Sequence, residues 1–251
     1  MPARAATPPP PHGPVAASVA PAPLPARRMP ARREAQPDRR LNILLAAEKL
    51  FAQRGYHAVS IRDIAAEAGV PLALVGYYYG AKHELYHAIF ESWGGLVATR
   101  LDGLRAACDV ADLSRRLDRV VEAFVMPVVA MHGHPEGQYW ALMAARDLAA
   151  PTPEADRAQR QFFDPMAHAF IDALMTCAPG ATRGGVAWCY QFMLGALLHH
   201  LTDQRVERLS GGENRSADPA ATALLVRFIV AGFRAVLHGP PSDPAPRKAP
   251  R

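Results

Sequence analysis

Apolar positions recur at helical spacing along most of the chain. In Leu41–Arg54, Ile43, Ala47, Leu50 and Phe51 share one stripe, and Gly55 follows as a helix-ending glycine. Ser60 then precedes Ile61, Ile64, Ala65 and Ala68, a short apolar face with Asp63 three residues after the serine. Ser60 and Asp63 have the spacing of a reciprocal N-terminal cap. Gly69 suits a left-handed turn, Val70 can plug the core beneath it, and Pro71 is expected as the first residue of a new helix. Helix, glycine turn and second short helix predict a helix-turn-helix over residues 60–79.

The remaining pattern predicts helices near 82–108, 113–131, 137–149, 155–176, 183–206 and 218–237. Pro151, Pro153, Pro179–Gly180 and Gly211–Gly212 punctuate them. Pro127 and Pro165 fall inside helical patterns, where a kink or break is expected. No run alternates with strand periodicity. The expected fold class is all-α. An N-terminal three-helix helix-turn-helix domain occupies 38–98, and a helical regulatory and dimerisation domain occupies 99–238. The last two helices, 183–206 and 218–237, are apolar on most faces, so each needs cover on most faces. A second copy of the chain is the expected cover, in a twofold four-helix bundle. Burial within the monomer is the alternative. Gly195 and Gly232 would let helices approach closely.

Composition changes the picture at the ends. Residues 1–37 hold eleven prolines and no periodic pattern, and Gly239–Arg251 holds five, so both read as disordered. Met29 leaves open a later start of translation. Residues 1–40 carry seven arginines against Glu34 and Asp38, which accounts for the whole net charge of +5. The basic arm meets polyanions or stays solvated. The apolar runs around 187–198 and 220–233 are interrupted by Gln191 and Arg227 and read as short for a bilayer, so no membrane partner is expected. The N-terminus lacks the apolar stretch of a secretory signal. Cys108, Cys177 and Cys189 form no CxxC pair and no even disulfide framework, which fits a reduced cytoplasmic compartment. No GxSxG, phosphate-binding loop, dinucleotide fingerprint or HExxH occurs, so neither an enzyme nor a cofactor is expected.

Candidate chemistry concentrates near the helix-turn-helix. Tyr77, Tyr78 and Tyr79 cannot all face one core, because successive residues turn by about 100° around a helix. An exposed tyrosine hydroxyl is a good phosphate donor. Lys82 opens the next helix, beside that helix's positive end, where both favour an anion.

The runs 43–56, 60–70 and 77–82 together resemble the DNA-binding domain of the TetR family of transcriptional repressors. Ala47, Phe51, Gly55, Ile64, Ala65, Gly69, Val70, Tyr77 and Lys82 carry the resemblance. It implies a homodimer, a recognition helix of each subunit in a major groove of a double-stranded operator, and release of the DNA by a ligand in the C-terminal domain. The family often has His-Phe where this chain has Tyr78-Tyr79; Tyr79 can still fill the buried aromatic role. Gly76 stands where the family often has Tyr or Asn, which removes a candidate contact and weakens the helix by about 1 kcal/mol.

The expected DNA-facing set is Arg39, Ser60, Arg62, Leu72, Ala73, Gly76, Tyr77, Tyr78 and Lys82. Arg62 reads as a base or phosphate contact, or as a solvated arginine. Leu72 and Ala73 can touch a thymine methyl but cannot make a bidentate hydrogen bond. Arg39 and Arg40 precede the first helix and can reach the backbone or a minor groove, or stay solvated. The body from 84 to 238 is slightly acidic, which suits a separate regulatory role. Met126, Trp140, Phe163, Met166, Trp188 and Phe192 are candidates for an apolar ligand cavity, with core packing as the alternative for each. The run 188–196 resembles a segment of TetR regulators that respond to fatty-acid-like molecules, which implies a small apolar, acyl or aromatic inducer. His132 with His134, His83 with His87, and His199 with His200 raise a metal site. No cysteine or carboxylate completes a set, so they read as surface histidines and no metal is expected. The competing functional reading is a small-molecule or metal-sensing helical protein without specific DNA binding.

Overall fold

A computed structural model describes residues 38–134 and 137–237. The two segments read as disordered, 1–37 and 239–251, lie outside the described residues.

The first helix, α1 (Arg39–Arg54), begins earlier than its apolar stripe predicts. The Asp38 carboxylate accepts from the backbone N–H of Arg40 at 3.0 Å and of Leu41 at 3.3 Å. Arg39 and Arg40, expected ahead of the helix, therefore form its first turn. Gly55 ends α1 at φ 82°. In α2 (Ile61–Glu67) the reciprocal cap forms as expected: Ser60 Oγ accepts from Asp63 N–H at 3.2 Å, and Asp63 Oδ2 accepts from Ser60 N–H at 2.8 Å. Gly69 makes the turn at φ 63°, a backbone region that suits glycine. The next helix, α3 (Leu72–Tyr79), starts one residue later than expected. Pro71 is its cap, with ψ 138°, and its carbonyl accepts from Leu74 N–H at 2.9 Å.

Three later expectations are corrected. The helix expected over 82–108 is divided at Trp93 into α4 (Lys82–Ser92) and α5 (Gly94–Cys108). Gly94 and Gly95 are poor helix formers, and the Trp93 side chain turns into the core. Residue 98, where the sequence reading places the domain boundary, lies inside α5. The helix expected over 155–176 is α8 (Pro153–Ala158), a wider π turn (Gln159–Phe163) and α9 (Asp164–Cys177). In a regular helix the Pro165 ring would meet the carbonyl four residues back; the π turn leaves Pro165 in the first turn of α9, where its missing N–H costs nothing. The helix expected over 183–206 stops at Thr202 (α10, Arg183–Thr202). The Asp203 carboxylate there accepts from Arg205 N–H at 2.8 Å and starts the short α11 (Arg205–Leu209).

The other helices match the pattern more closely. They are α6 (Leu113–His132), which runs through Pro127 unbroken, α7 (Trp140–Ala149) and α12 (Thr222–Leu237), preceded by one 3₁₀ turn at Pro219–Ala221. The described residues contain no strand, and the fold is all-α.

The core is continuous from the first helix to the last. An aromatic series joins α1, α4 and α7: Phe51 to Tyr86 at 5.3 Å between ring centroids, Tyr86 to Phe90 at 5.1 Å, Phe90 to Trp93 at 4.8 Å, and Trp93 to Trp140 at 5.9 Å. Helix α7 is tied to the N-terminal helices by polar bonds as well. Arg146 donates to the carbonyl oxygens of Ala52 (3.0 Å) and Gln53 (2.9 Å), which are unpaired at the end of α1. Beside it, Tyr86 donates to the buried Asp147 carboxylate at 2.7 Å.

Candidate nucleic-acid interface

Helix α3 stands on a narrow support. Val75 is fully buried, and Leu74 and Tyr79 are half-buried beside it. The Tyr79 hydroxyl donates to the Arg40 carbonyl at 2.8 Å, and the Arg40 guanidinium lies 5.6 Å from the Tyr79 ring. Tyr79 thus takes the inward aromatic position and locks α3 to the start of α1. A helix of eight residues with an internal glycine and no side-chain cap depends on such contacts.

The opposite side of α3 is bare. Leu72, Ala73, Gly76 and Tyr77 share one exposed face, since residues one turn apart line up. Tyr77 is 79 % exposed, and its ring meets that of Tyr78 edge-on at 5.2 Å. A Cβ added at Gly76 would meet nothing within 4 Å, so its glycine is not required by close packing. Arg62 is exposed in the first turn of α2, and Arg39 in the first turn of α1.

Two of the expected site residues are already engaged. Ser60 Oγ serves the α2 cap, and the Asp63 carboxyl is held below its ordinary value by its hydrogen bonds to Ser60. The Lys82 ammonium lies 4.3 Å from the Tyr56 ring centroid, and partial burial lowers its pKa. The positive end of α4 is not the open anion site that the sequence suggests: Glu84 reaches back and accepts from Ala81 N–H at 2.6 Å. The glutamate three residues after Ala81 was the legible signal for that cap.

A second site lies in the C-terminal half. A cavity of about 700 Å³ opens between α5, α7, α9 and α10, lined by Arg100, Leu148, Phe163, Met166, Tyr190 and Leu198 among others. Of the six expected ligand residues, Phe163 and Met166 lie on this cavity. Trp140 is buried against Trp93. Met126 is half exposed and lines a groove beside α12. Trp188 and Phe192 are each 60 % exposed and stack on one another, with centroids 5.8 Å apart, on the outer side of α10.

Sequence reasoning missed the charged residues of the interior. Arg100 and Glu48 are almost wholly buried. Each interrupts an apolar stripe, Leu96–Arg100–Leu104 and Leu44–Glu48–Ala52, and that interruption was visible in the sequence. The histidine reading also needs correction. His132 and His200 are half-buried rather than surface residues, and burial lowers both pKa values, because the C-terminal ends of α6 and α10 pack together.

A short helix with a bare outer face, carried on a three-helix support and followed by a larger helical body with its own cavity, defines a helix-turn-helix protein with a separate helical second half. Two family models match the chain: residues 43–89 match bacterial regulatory proteins of the tetR family, and residues 122–232 match the tetracyclin repressor-like C-terminal domain. The chain belongs to the TetR family. It is 39 % identical over 112 residues to the HTH-type transcriptional repressor Rv3405c of Mycobacterium tuberculosis, a match that covers 45 % of this chain and 55 % of that protein. It is 36 % identical over 88 residues to the HTH-type transcriptional activator FasR of Mycolicibacterium smegmatis, covering 35 % of this chain and 39 % of the other. The matched region thus spans about half or less of these relatives' length. Among solved structures, the TetR family transcriptional regulator PfmR of Thermus thermophilus has the same fold, with a TM-score of 0.51, 20 % identity, and coverage of 78 % of this chain and 97 % of that one.

Proposed function

We propose that the protein is a dimeric, sequence-specific DNA-binding transcriptional regulator, and that a ligand in the C-terminal cavity releases it from its operator. The observation that carries the reading is the exposed face of α3, held at its rear by Val75 and Tyr79 and bare at Leu72, Ala73 and Tyr77. In this reading α3 enters the major groove. Tyr77 and Tyr78 donate to phosphates, Leu72 and Ala73 meet thymine methyl groups, and Arg39 and Arg62 reach the backbone at the rim. Lys82 is a weaker contact than its position suggests, because its ammonium already rests on Tyr56.

Dimerisation through α10 and α12 is the second part of the reading. Trp188 and Phe192 on α10, and Leu224, Phe228 and Val236 on α12, are large apolar side chains left in the open. Pro219–Leu237 is long and apolar enough to cross a membrane by length and composition. One side of it packs into the core through Val226, Ile229, Val230 and Phe233, and Arg234 pairs with Asp118 at 2.9 Å. A second copy covers the remaining side without a bilayer, and the open faces of Gly195 and Gly232 admit it closely.

Helix α7 supplies the link between the two sites. Ala144, Ala145 and Leu148 face the cavity, and their neighbours Arg146 and Asp147 hold α1 and α4. A ligand that moves α7 moves the support of α3. The relatives named above include a repressor and an activator. Repression is the reading proposed here, with the ligand that loosens α7 acting as inducer.

The test is a footprint on the DNA upstream of the protein's own gene, repeated as salt is raised. Protection of a pseudo-palindrome, with affinity falling steeply with salt, is the expected result. Uniform weak binding to all DNA would overturn the reading in favour of a ligand sensor without specific DNA recognition. The weak hydrogen-bonding capacity of Leu72, Ala73 and Gly76 is what favours that second reading.

A further inference from the structure

Arg100 is the largest fully buried side chain among the described residues, with 1 % of its surface exposed. Its guanidinium carbon lies over the Phe124 ring, 3.7 Å from the centroid, and Nε donates to the Phe124 carbonyl at 3.0 Å. Those contacts fix the plane of the group and use its side edge. Nη2 is buried and has no hydrogen-bond partner among the described residues. No carboxylate among them acts on the guanidinium either; the neighbouring titratable group is the Tyr190 phenol. Burial pulls the Arg100 pKa down only to about 10, so the group is a cation at neutral pH. A buried cation without an anion is costly, and buried charges are ordinarily paired.

Arg100 lines the cavity between α5, α7, α9 and α10. We infer that this cavity binds an organic monocarboxylate with an apolar body, its carboxylate parting the closed wall to pair with the unused end of the Arg100 guanidinium. Three features select that chemistry. A fixed, planar guanidinium end matches the two oxygens of a carboxylate. The phenol of Tyr190 lies on the same cavity wall, and burial pushes its pKa up to about 12, which leaves it neutral and able to donate a second hydrogen bond. Asp164, the acidic residue of the lining, repels anions, and it repels a dianionic phosphate about twice as strongly as a monocarboxylate. The apolar part of the lining, including Leu148, Phe163, Met166, Leu194 and Leu198, suits an alkyl or aryl body, beside the polar Gln159, Gln191, His199 and Thr202.

The inference rests on the cavity being the regulator's ligand site, and it is tested without DNA. Wild-type protein is titrated by calorimetry with two matched pairs: octanoate and octanol, and 4-butylbenzoate and 4-butylbenzyl alcohol. Each acid is expected to bind at least about tenfold more tightly than its alcohol, the worth of a charge-assisted pair. In Arg100→Met the preference is expected to vanish, and in Arg100→Lys to survive in part; the wild-type comparison stands even if neither variant folds. Equal binding of acid and alcohol, no binding of either acid, or an acid preference retained in a folded Arg100→Met would each overturn the assignment. Failure of these titrations leaves operator binding intact, whereas loss of specific DNA binding with the acid preference retained would overturn the regulator reading alone.

Discussion

Glu48 sits in the wall between α1 and the Trp93 indole, 2 % exposed, with Oε1 unpaired. Burial raises its pKa from 4.5 to about 7, against a smaller opposing effect from its hydrogen bond with Trp93. A carboxyl raised in this way keeps its proton in the folded state over a range where the unfolded chain has released it. Stability therefore falls as pH rises from about 4.5 to about 7, and is level above. Glu48→Gln is expected to remove that slope, matching wild type near pH 4.5 and exceeding it at pH 8 by up to about 3 kcal/mol. Thermal melts at the two pH values decide the matter, and parallel slopes in the two proteins refute it. Tyr77 makes the opposite kind of prediction. It is exposed and supports nothing, so Tyr77→Ala should leave the melting temperature unchanged and weaken operator binding about fivefold per subunit, the worth of one lost hydrogen bond. Gel shifts at fixed salt measure it. Tyr77 was legible as an exposed tyrosine because three in a row cannot share one core. The resemblance also named Tyr79 as the inward one; what was not legible is its hydrogen bond, because the Arg40 carbonyl that holds it lies 39 positions away.

Helix ends decide much at the scale of elements. Local signals placed the α2 cap and the glycine turns correctly, since each involves residues within a few positions of one another. The corrected boundaries lie where a side chain outside the pattern intervenes: Asp38 before α1, Trp93 after α4, Asp203 after α10. Arg146 is the long-range version of the same device. It caps the carbonyls of Ala52 and Gln53 from α7, more than ninety positions along the chain. Arg146→Met should cost about 1–2 kcal/mol of stability through the two lost hydrogen bonds. It should also speed amide exchange at Gly55, whose N–H bonds the Phe51 carbonyl at 2.8 Å. In the proposed mechanism the variant also loses part of its response to ligand while still binding DNA. Unchanged exchange at the end of α1 would show that Arg146 is not its cap in solution.

Across the whole molecule, the open apolar faces of α10 and α12 lead to the last prediction. Phe228 is 70 % exposed, so Phe228→Asp creates no cavity in the monomer but places a charge in the proposed interface. Light scattering on a sizing column should report half the wild-type mass, with helicity unchanged; a dimer of undiminished mass would place the interface elsewhere. The sequence by itself determined the helical fold and the helix-turn-helix. Those properties come from periodicity and from capping residues a few positions apart, which any window of the chain contains. Tertiary structure alone decided that Lys82 rests on Tyr56, that Trp188 and Phe192 face outward while Phe163 and Met166 line a cavity, and that Arg100 lies buried with no ion-pair partner among the described residues. Each of these depends on which faces of distant helices meet, and the relative placement of helices is settled by packing across the chain rather than by the pattern within any one of them.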